Sequence, residues 1–177
     1  IAAAGTVKWV GYFSTTGVYG NRDGDWVDET SDLRPGSDRS KRRADAERVW
    51  LDWGDRHDIA VQIFRLPGIY GPGRSAVDQV KAGTARRISK PGHVFSRIHV
   101  EDIATVVAAS IARPEPGGIY NVCDDEPAAP SDVTAYVCEL LGQKPPPEIA
   151  YADAELSPMA QSFWSDNRRV RNDRIKD

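Results

Sequence analysis

Cysteine and histidine are scarce in this sequence, and long apolar segments are missing. The two cysteines, Cys123 and Cys138, form no CxxC pair, and the three histidines are scattered. We therefore expect no metal site and no disulfide framework, which fits a reducing cytoplasm. No run of about 18 apolar residues occurs, which argues against a membrane partner. The opening stretch IAAAGTVKWVG lacks the basic segment and long apolar segment of a signal peptide, so we expect a cytoplasmic protein.

Positive charge is not in excess either. The formal net charge is −3, which argues against nucleic acid as a partner. The chain has 177 residues, 40% of them hydrophobic, which is typical of one globular domain or of one domain with a small lobe. It begins with Ile and ends in the charged stretch RVRNDRIKD, so we expect it to be part of a longer protein.

The first half of the sequence predicts a βαβ unit. KWVGYFS, residues 8–14, and IAVQIFRL, residues 59–66, are rich in β-branched and aromatic residues and predict two strands. Between them a long polar loop, residues 21–36, precedes a helix that Ser37 or Asp38 caps and that runs to about Arg56. Its predicted apolar stripe consists of Ala46, Val49, Trp50 and Trp53. Because a helix joins the two strands, we expect them to be parallel.

The second half predicts shorter elements. Helices are expected at residues 76–82, from Val100 to Arg113, from a cap at Ser131 to Leu141, and after a cap at Ser157. Strands are expected in HVFSRIHV at residues 93–100, in GIYNVCD, and after the proline-rich QKPPP.

Hydroxyl groups and Tyr-Gly pairs follow the two main strands. STTGVYG follows the first strand and RLPGIYGPGR ends the second. Ligands of open parallel sheets bind beyond the carboxyl ends of the strands, so these segments predict two walls of one cleft. The glycines would let the backbone approach a ligand closely. The alternative is that Tyr19 and Tyr70 are core aromatics and that the hydroxyls satisfy backbone groups.

Together with HVEDIA and YNV at matching intervals, these segments resemble the extended and atypical short-chain dehydrogenases/reductases, the NAD(P)-dependent epimerase/dehydratase family. The resemblance implies an α/β fold: the later part of a Rossmann-like doubly wound parallel sheet with a small α+β substrate lobe. Residues 1–73 would form the second half of the dinucleotide-binding domain. Residues 74–177 would form mainly the substrate lobe, with a strand near 117–124 returning to the main sheet.

The resemblance also implies roles for particular residues. Thr15 matches the catalytic Ser/Thr that hydrogen-bonds the substrate oxygen. The other implied contacts are cofactor contacts from Ser14, Leu66, Pro67 and Gly68, and substrate contacts from Thr16, Tyr70 and Arg74. His99 and Asp102 match a segment whose role is mostly structural.

The sequence departs from the family pattern at two places. Counted back from Glu47, Arg39 and Arg43 stand where the family has its catalytic Tyr and Lys. A guanidinium cannot act as the acid that this tyrosine provides, so these two catalytic positions would supply charge rather than a proton. Ser37 and Lys41 repeat the spacing, but a serine hydroxyl is too weak an acid. The glycine-rich dinucleotide fingerprint is also missing from the sequence, which leaves the choice between NAD and NADP open.

We therefore expect an NAD(P)-dependent oxidoreductase or epimerase acting on a small polar or nucleotide-sugar-like substrate. The alternative is a catalytically inactive dinucleotide-binding sensor or structural module. The helix from Ser37 to Arg56 often forms the dimer face in similar proteins, which implies a homodimer; the alternative is that Trp50 and Trp53 face the sheet. A second basic cluster, Arg168, Arg169, Arg171 and Arg174, fits a solvated terminal helix better than a substrate contact.

Overall fold

The structure, a computed structural model, describes residues 7–176. The strands are β1 Trp9–Thr15, β2 Trp26–Val27, β3 Ala60–Leu66, β4 Gly68–Tyr70, β5 Arg87–Ser89, β6 Arg97–His99, β7 Ile119–Asn121, β8 Glu148–Ala150 and β9 Arg169–Val170. The α-helices are α1 Asp38–His57, α2 Ala76–Lys81, α3 Val100–Ala112, α4 Pro130–Leu140 and α5 Pro158–Trp164. Short 3-10 turns follow β1, β8 and β9.

The main sheet is parallel and has the order β1-β3-β7. β3 lies in its centre and is buried along its whole length, which fits its nearly continuous apolar sequence. β1 pairs with β3 from Trp9 opposite Ala60 to Thr15 opposite Leu66, as the predicted βαβ unit requires. The carboxyl ends of β1 and β3 therefore lie side by side.

Helix α1 connects β1 to β3 and packs on the sheet. Ser37 is its N-cap, since its hydroxyl accepts a hydrogen bond from the backbone N–H of Ser40 at 3.1 Å. The predicted apolar stripe is wrong for Val49, whose side chain is 58% exposed. The buried positions of α1 are Ser40, Glu47 and Gly54. Glu47 has polar partners on the strands, since Ser14 of β1 and Arg65 of β3 both donate to its carboxylate.

The second half of the chain forms smaller parallel pairs, β4 with β6 and β5 with β8, and a cluster of α2 with α4. The strand predicted at residues 93–100 is shorter, since only Arg97–His99 pairs as a strand. Ser131 does not cap α4. The helix begins at Pro130 after Ala129, because proline needs no N–H partner at a helix start.

Within the segment predicted as a solvated terminal helix, Arg169–Val170 instead forms strand β9, which pairs with β2 inside the predicted long loop, and Arg174 lies in the 3-10 helix Asp173–Ile175. Val170 of β9 and Val27 of β2 are buried together with Val18 and Tyr19. Among residues 7–176, no helix has the length and apolar character needed to cross a bilayer.

Candidate functional site

A cavity of about 470 Å³ lies beyond the carboxyl ends of β1 and β3. The main-sheet side contributes the β1 end, the start of α1 and the segment after β3. The opposite side comes from β6, from α5 and from the segment that leads into β9. The cavity therefore lies between the parallel sheet and the second half of the chain, where ligands of such sheets bind.

Most of the predicted site residues line this cavity: Thr15, Thr16, Arg39, Pro67, Gly68, Tyr70 and Arg74. Three do not. Ser14 faces α1 and donates its hydroxyl to Glu47, because successive strand residues point to opposite faces of a sheet. Leu66 lies in the apolar core with Phe64 and Ile98. Arg43 donates to the carbonyl of Phe13 on β1.

Thr15 is oriented by the turn that follows it. Its Oγ1 accepts a hydrogen bond from the N–H of Gly17 at 3.1 Å, as the cap of the short 3-10 helix Thr16–Tyr19. The hydroxyl proton of Thr15 is not used in this contact. It can therefore be donated to an oxygen atom in the cavity.

The first turn of α1 opens onto the same cavity. Ser37, Arg39 and Ser40 all line it, and the hydroxyls of Ser37 and Ser40 are 2.9 Å apart. A helix start presents unpaired N–H groups and a positive dipole end, which favour an anion. The guanidinium of Arg39 lies over the ring of Phe163 on α5, 4.9 Å from its centroid. Arg39 thus spans the cavity from α1 to α5.

Positive charge dominates the cavity walls. Arg39, Arg74, Arg97 and Arg168 line it, together with Asp166 as the acidic residue. Arg168 pairs with Asp166 at 3.2 Å. Burial lowers the pKa of the Arg97 and Arg168 guanidinium groups, which means that their environment disfavours the charged form. Sequence reasoning did not identify Arg97, and it favoured a solvated position for Arg168.

Tyr70 is the phenol that lines this cavity within the described part of the chain. Burial raises its pKa, and the neighbouring carboxylate of Asp124 raises it further. The pKa of Asp124 is itself raised by burial. A catalytic phenol needs the opposite shift, which argues against Tyr70 as a proton donor at this cavity.

A buried polar network supports the end of β1. Glu47 of α1 pairs with Arg65 of β3 at 2.7 Å, and both side chains are 3% exposed. Arg65 also donates to the hydroxyl of Tyr19 at 2.8 Å, and Tyr19 donates to Asn121 at 2.7 Å. The network joins α1, β3, β7 and the turn after Thr15. Tyr19 is therefore a core residue, as the alternative interpretation of its motif has it, whereas Tyr70 lies at the cavity.

The glycines of the two Tyr-Gly pairs allow close packing between segments of the chain. A Cβ on Gly20 would lie 1.9 Å from the carbonyl oxygen of Arg34, and Gly20 has a positive φ of 67°. A Cβ on Gly71 would lie 2.6 Å from Val100. The close approach is thus between segments of the protein itself.

Aromatic rings form the far wall. Phe95 and Trp164 line the cavity and pack edge to face, 5.3 Å between centroids. His93 stacks on Trp164 from behind at 5.0 Å. Neither ring nitrogen of His93 has a hydrogen-bond partner among the described residues, and burial lowers its pKa to about 4.

A second cavity, of about 580 Å³, lies beside α3 and contains none of the predicted site residues. Most of its polar groups are paired with one another: Gln62 accepts from Ser110, Tyr120 donates to Glu115, and Arg174 pairs with Glu115, while Arg113 forms no ion pair among the described residues. The cavity beside Thr15 holds most of the predicted site residues and three arginines that have no ion pair within residues 7–176, so it is the better candidate for a ligand site.

Residues 1–123 match the model of the NAD dependent epimerase/dehydratase family. Protein YeeZ of Escherichia coli strain K12 is 31% identical over 82% of this chain and 50% of its own length. A trifunctional UDP-glucose 4,6-dehydratase/UDP-4-keto-6-deoxy-D-glucose 3,5-epimerase/UDP-4-keto-L-rhamnose-reductase of Arabidopsis thaliana is 26% identical over 84% of this chain and 24% of its own. The chain thus spans half or less of the length of these curated relatives.

Solved structures give the same fold. A functionally unknown conserved protein from Silicibacter pomeroyi superposes with a TM-score of 0.91 at 56% identity, over 99% of this chain and 61% of the other. A dTDP-glucose 4,6-dehydratase from Streptomyces venezuelae, solved with NAD and DAU bound, superposes with a TM-score of 0.77 at 22% identity, over 99% of this chain and 55% of the other. The α/β architecture with a parallel Rossmann-like sheet is therefore shared with these proteins.

Proposed function

The chain belongs to the NAD-dependent epimerase/dehydratase family, and from this premise we propose that it forms the catalytic half of an NAD(P)-dependent oxidoreductase or epimerase. Its substrate would be a small polar molecule or a sugar nucleotide, bound in the cavity beside Thr15. The main support is the convergence on one cavity of Thr15, the Pro67–Gly68 segment, Tyr70 and the first turn of α1. The Arabidopsis relative, whose name gives nucleotide sugars as substrates, supports this substrate class.

In this proposal Thr15 donates its hydroxyl proton to the substrate oxygen, since Gly17 already satisfies one of its lone pairs. Pro67 and Gly68, which line the cavity, would contact a bound nicotinamide. A bound nicotinamide would supply or accept the hydride. Tyr70 and Arg74 contact the substrate, and Arg39 stabilises negative charge on it without exchanging a proton. Arg43 acts indirectly, by holding the carbonyl of Phe13 two residues before Thr15.

The proposal is tested by nicotinamide fluorescence during titration of NADH and NADPH into the purified protein. We expect a saturable change. The substitution Thr15→Val, which removes the hydroxyl and keeps the shape, should lower substrate turnover by about tenfold or more while nicotinamide binding persists. Thr105→Val is the matched control, because Thr105 is exposed on α3 and is not part of the cavity lining. Equal turnover in both variants would contradict the role of Thr15.

A catalytically inactive dinucleotide-binding module is the second candidate, and the arginine at position 39 together with the raised pKa of Tyr70 favours it. Arg39→Tyr separates the two functions. An enzyme that has lost its proton donor should gain turnover with a tyrosine there. A binding module should bind nicotinamide and remain inactive in both forms.

A further inference from the structure

The charge balance of the cavity beside Thr15 differs from that of the whole chain. Four guanidinium groups and one carboxylate line it, which leaves a formal charge of +3, whereas the chain as a whole carries −3. Arg168 is paired with Asp166. Arg39, Arg74 and Arg97 form no ion pair with any carboxylate of residues 7–176. The cavity thus lacks the anions that would balance it.

From this arrangement we infer that the cavity binds an oxyanion, a carboxylate or a phosphate group of the substrate, through Arg39, Arg74 and Arg97. The inference rests on the proposed function, since it names the substrate class of the same cavity. Guanidinium groups are suited to such ligands because their planar donors match two oxygens at once.

Arg97 is held in place for this contact. One of its terminal nitrogens donates to the carbonyls of Phe95 at 2.9 Å and Ala128 at 3.1 Å. A guanidinium that is half-buried beside neutral carbonyls keeps an unfavourable desolvation energy, and Asp124 offsets only part of it. A bound oxyanion would supply the missing counter-charge.

Two further features point to an anion that accepts hydrogen bonds. Ser37 and Ser40 in the first turn of α1 line the cavity at the positive end of the helix dipole, and their mutual hydrogen bond leaves one hydroxyl proton without a partner among the described residues. Across from it lies Ser96, whose residue is 7% exposed and whose hydroxyl has no partner among the described residues. An unpaired buried hydroxyl is unfavourable, and an oxyanion in the cavity would accept its proton.

The 2′-phosphate of NADP is the other source of an oxyanion. It lies on the adenosine half of the dinucleotide, at the opposite end from the nicotinamide. The three arginines share their cavity with Thr15 and Gly68, which the proposed function places at the nicotinamide end. The geometry therefore favours an oxyanion on the substrate.

Isothermal titration calorimetry with malonate and with inorganic phosphate, at constant ionic strength, tests the inference. We expect saturable binding of at least one probe, and the stronger binder identifies the group as carboxylate or phosphate. Arg39→Gln and Arg74→Gln should each weaken the affinity for the binding probe by about tenfold, as expected for a lost charge-assisted hydrogen bond. Arg42→Gln is the matched control, since Arg42 is an exposed α1 residue outside the cavity lining, and it should change affinity by less than about twofold.

Three results would overturn the inference: no binding of either probe up to about 10 mM, an equal loss in the Arg42→Gln and Arg39→Gln variants, or a preference for NADPH over NADH that Arg39→Gln abolishes. The last result would assign the arginines to the cofactor. The probes contain no nicotinamide, so the two proposals can fail separately. Oxyanion binding without any nicotinamide response would contradict the proposed function alone.

Discussion

The pair Arg65–Glu47 supports the end of β1 next to Thr15. Glu47 reaches from the middle of α1, accepts from Arg65 of β3, and accepts from the hydroxyl of Ser14. Ser14 directly precedes Thr15, so this contact holds the end of β1 against the helix that carries Arg39. A buried ion pair of this kind is weak evidence for stability, because desolvation offsets much of the attraction. The pair instead serves to position the chain, since it holds together α1, β3 and the end of β1, which all border the cavity.

Removal of one partner from this pair should destabilise the folded protein. Glu47→Leu leaves the buried guanidinium of Arg65 without its carboxylate, and we expect the free energy of unfolding to fall by about 3–5 kcal/mol. The double variant Glu47→Leu with Arg65→Leu removes both charges. Its free energy of unfolding should fall clearly less than that of Glu47→Leu alone. Urea unfolding of the single and double variants measures the difference. A double variant as unstable as Glu47→Leu would show that the charges were not the cause.

Helix α1 is close to the sheet because a glycine lies in its last turns. A Cβ on Gly54 would lie 2.5 Å from Val61 Cγ2 and 2.8 Å from the carbonyl oxygen of Ile59. The helix can therefore approach β3 only with glycine at this position. Sequence reasoning identified the helix, its start at Ser37 and its approximate end. It placed Val49 on the buried face because it weighed apolar residues only, while the fully buried positions of α1 are a serine, a glutamate and a glycine.

We therefore expect Gly54→Ala to destabilise the protein, although alanine is the better helix former by about 1 kcal/mol. Overpacking against β3 should lower the free energy of unfolding by about 1–3 kcal/mol. Asp52→Ala, on the exposed side of α1, serves as the control and should be neutral or slightly stabilising. Chemical denaturation of both variants decides the point, and a stabilised Gly54→Ala protein would contradict the close packing of α1.

For the molecule as a whole, the sequence predicts what depends on local pattern. The βαβ unit follows from strand composition and helix capping, and the position of Thr15 beyond β1 follows from the strand end. The far wall of the cavity could not be predicted, because Phe95, Arg97 and Trp164 are distant in sequence from Thr15 and line the same cavity only in the folded chain. The same holds for Arg168, whose place beside the cavity depends on β9 pairing with β2. Tertiary pairing of this kind has no local signal.

The stability of the whole molecule should depend on pH through His93. Its side chain is 2% exposed, and burial lowers its pKa from 6.5 to about 4. The folded state therefore keeps the ring neutral, while the unfolded chain binds a proton as soon as the pH falls below 6.5. The contribution of His93 to the free energy of unfolding is fully present above pH 6.5 and is lost as the pH falls to about 4. The total loss is about 3 kcal/mol.

His93→Phe keeps an aromatic ring against Trp164 and removes the titration. The variant should lose less unfolding free energy between pH 7 and the acid end of this window than the unaltered protein does, as measured by urea unfolding at each pH. Parallel pH curves for the two proteins would show that His93 is not the group responsible.

The most direct test of the proposed site is saturation-transfer NMR of NADH with this chain, because it detects weak binding and shows which end of the ligand touches the protein. The segments that border the cavity match the nicotinamide end, and the sequence lacks the glycine-rich fingerprint that holds the pyrophosphate. We predict the strongest saturation on the nicotinamide protons, weaker saturation on the adenine protons, and a reduction in both when Gly68 is replaced by Val. Saturation mainly on adenine, or none at millimolar NADH, would contradict a nicotinamide site beside Thr15.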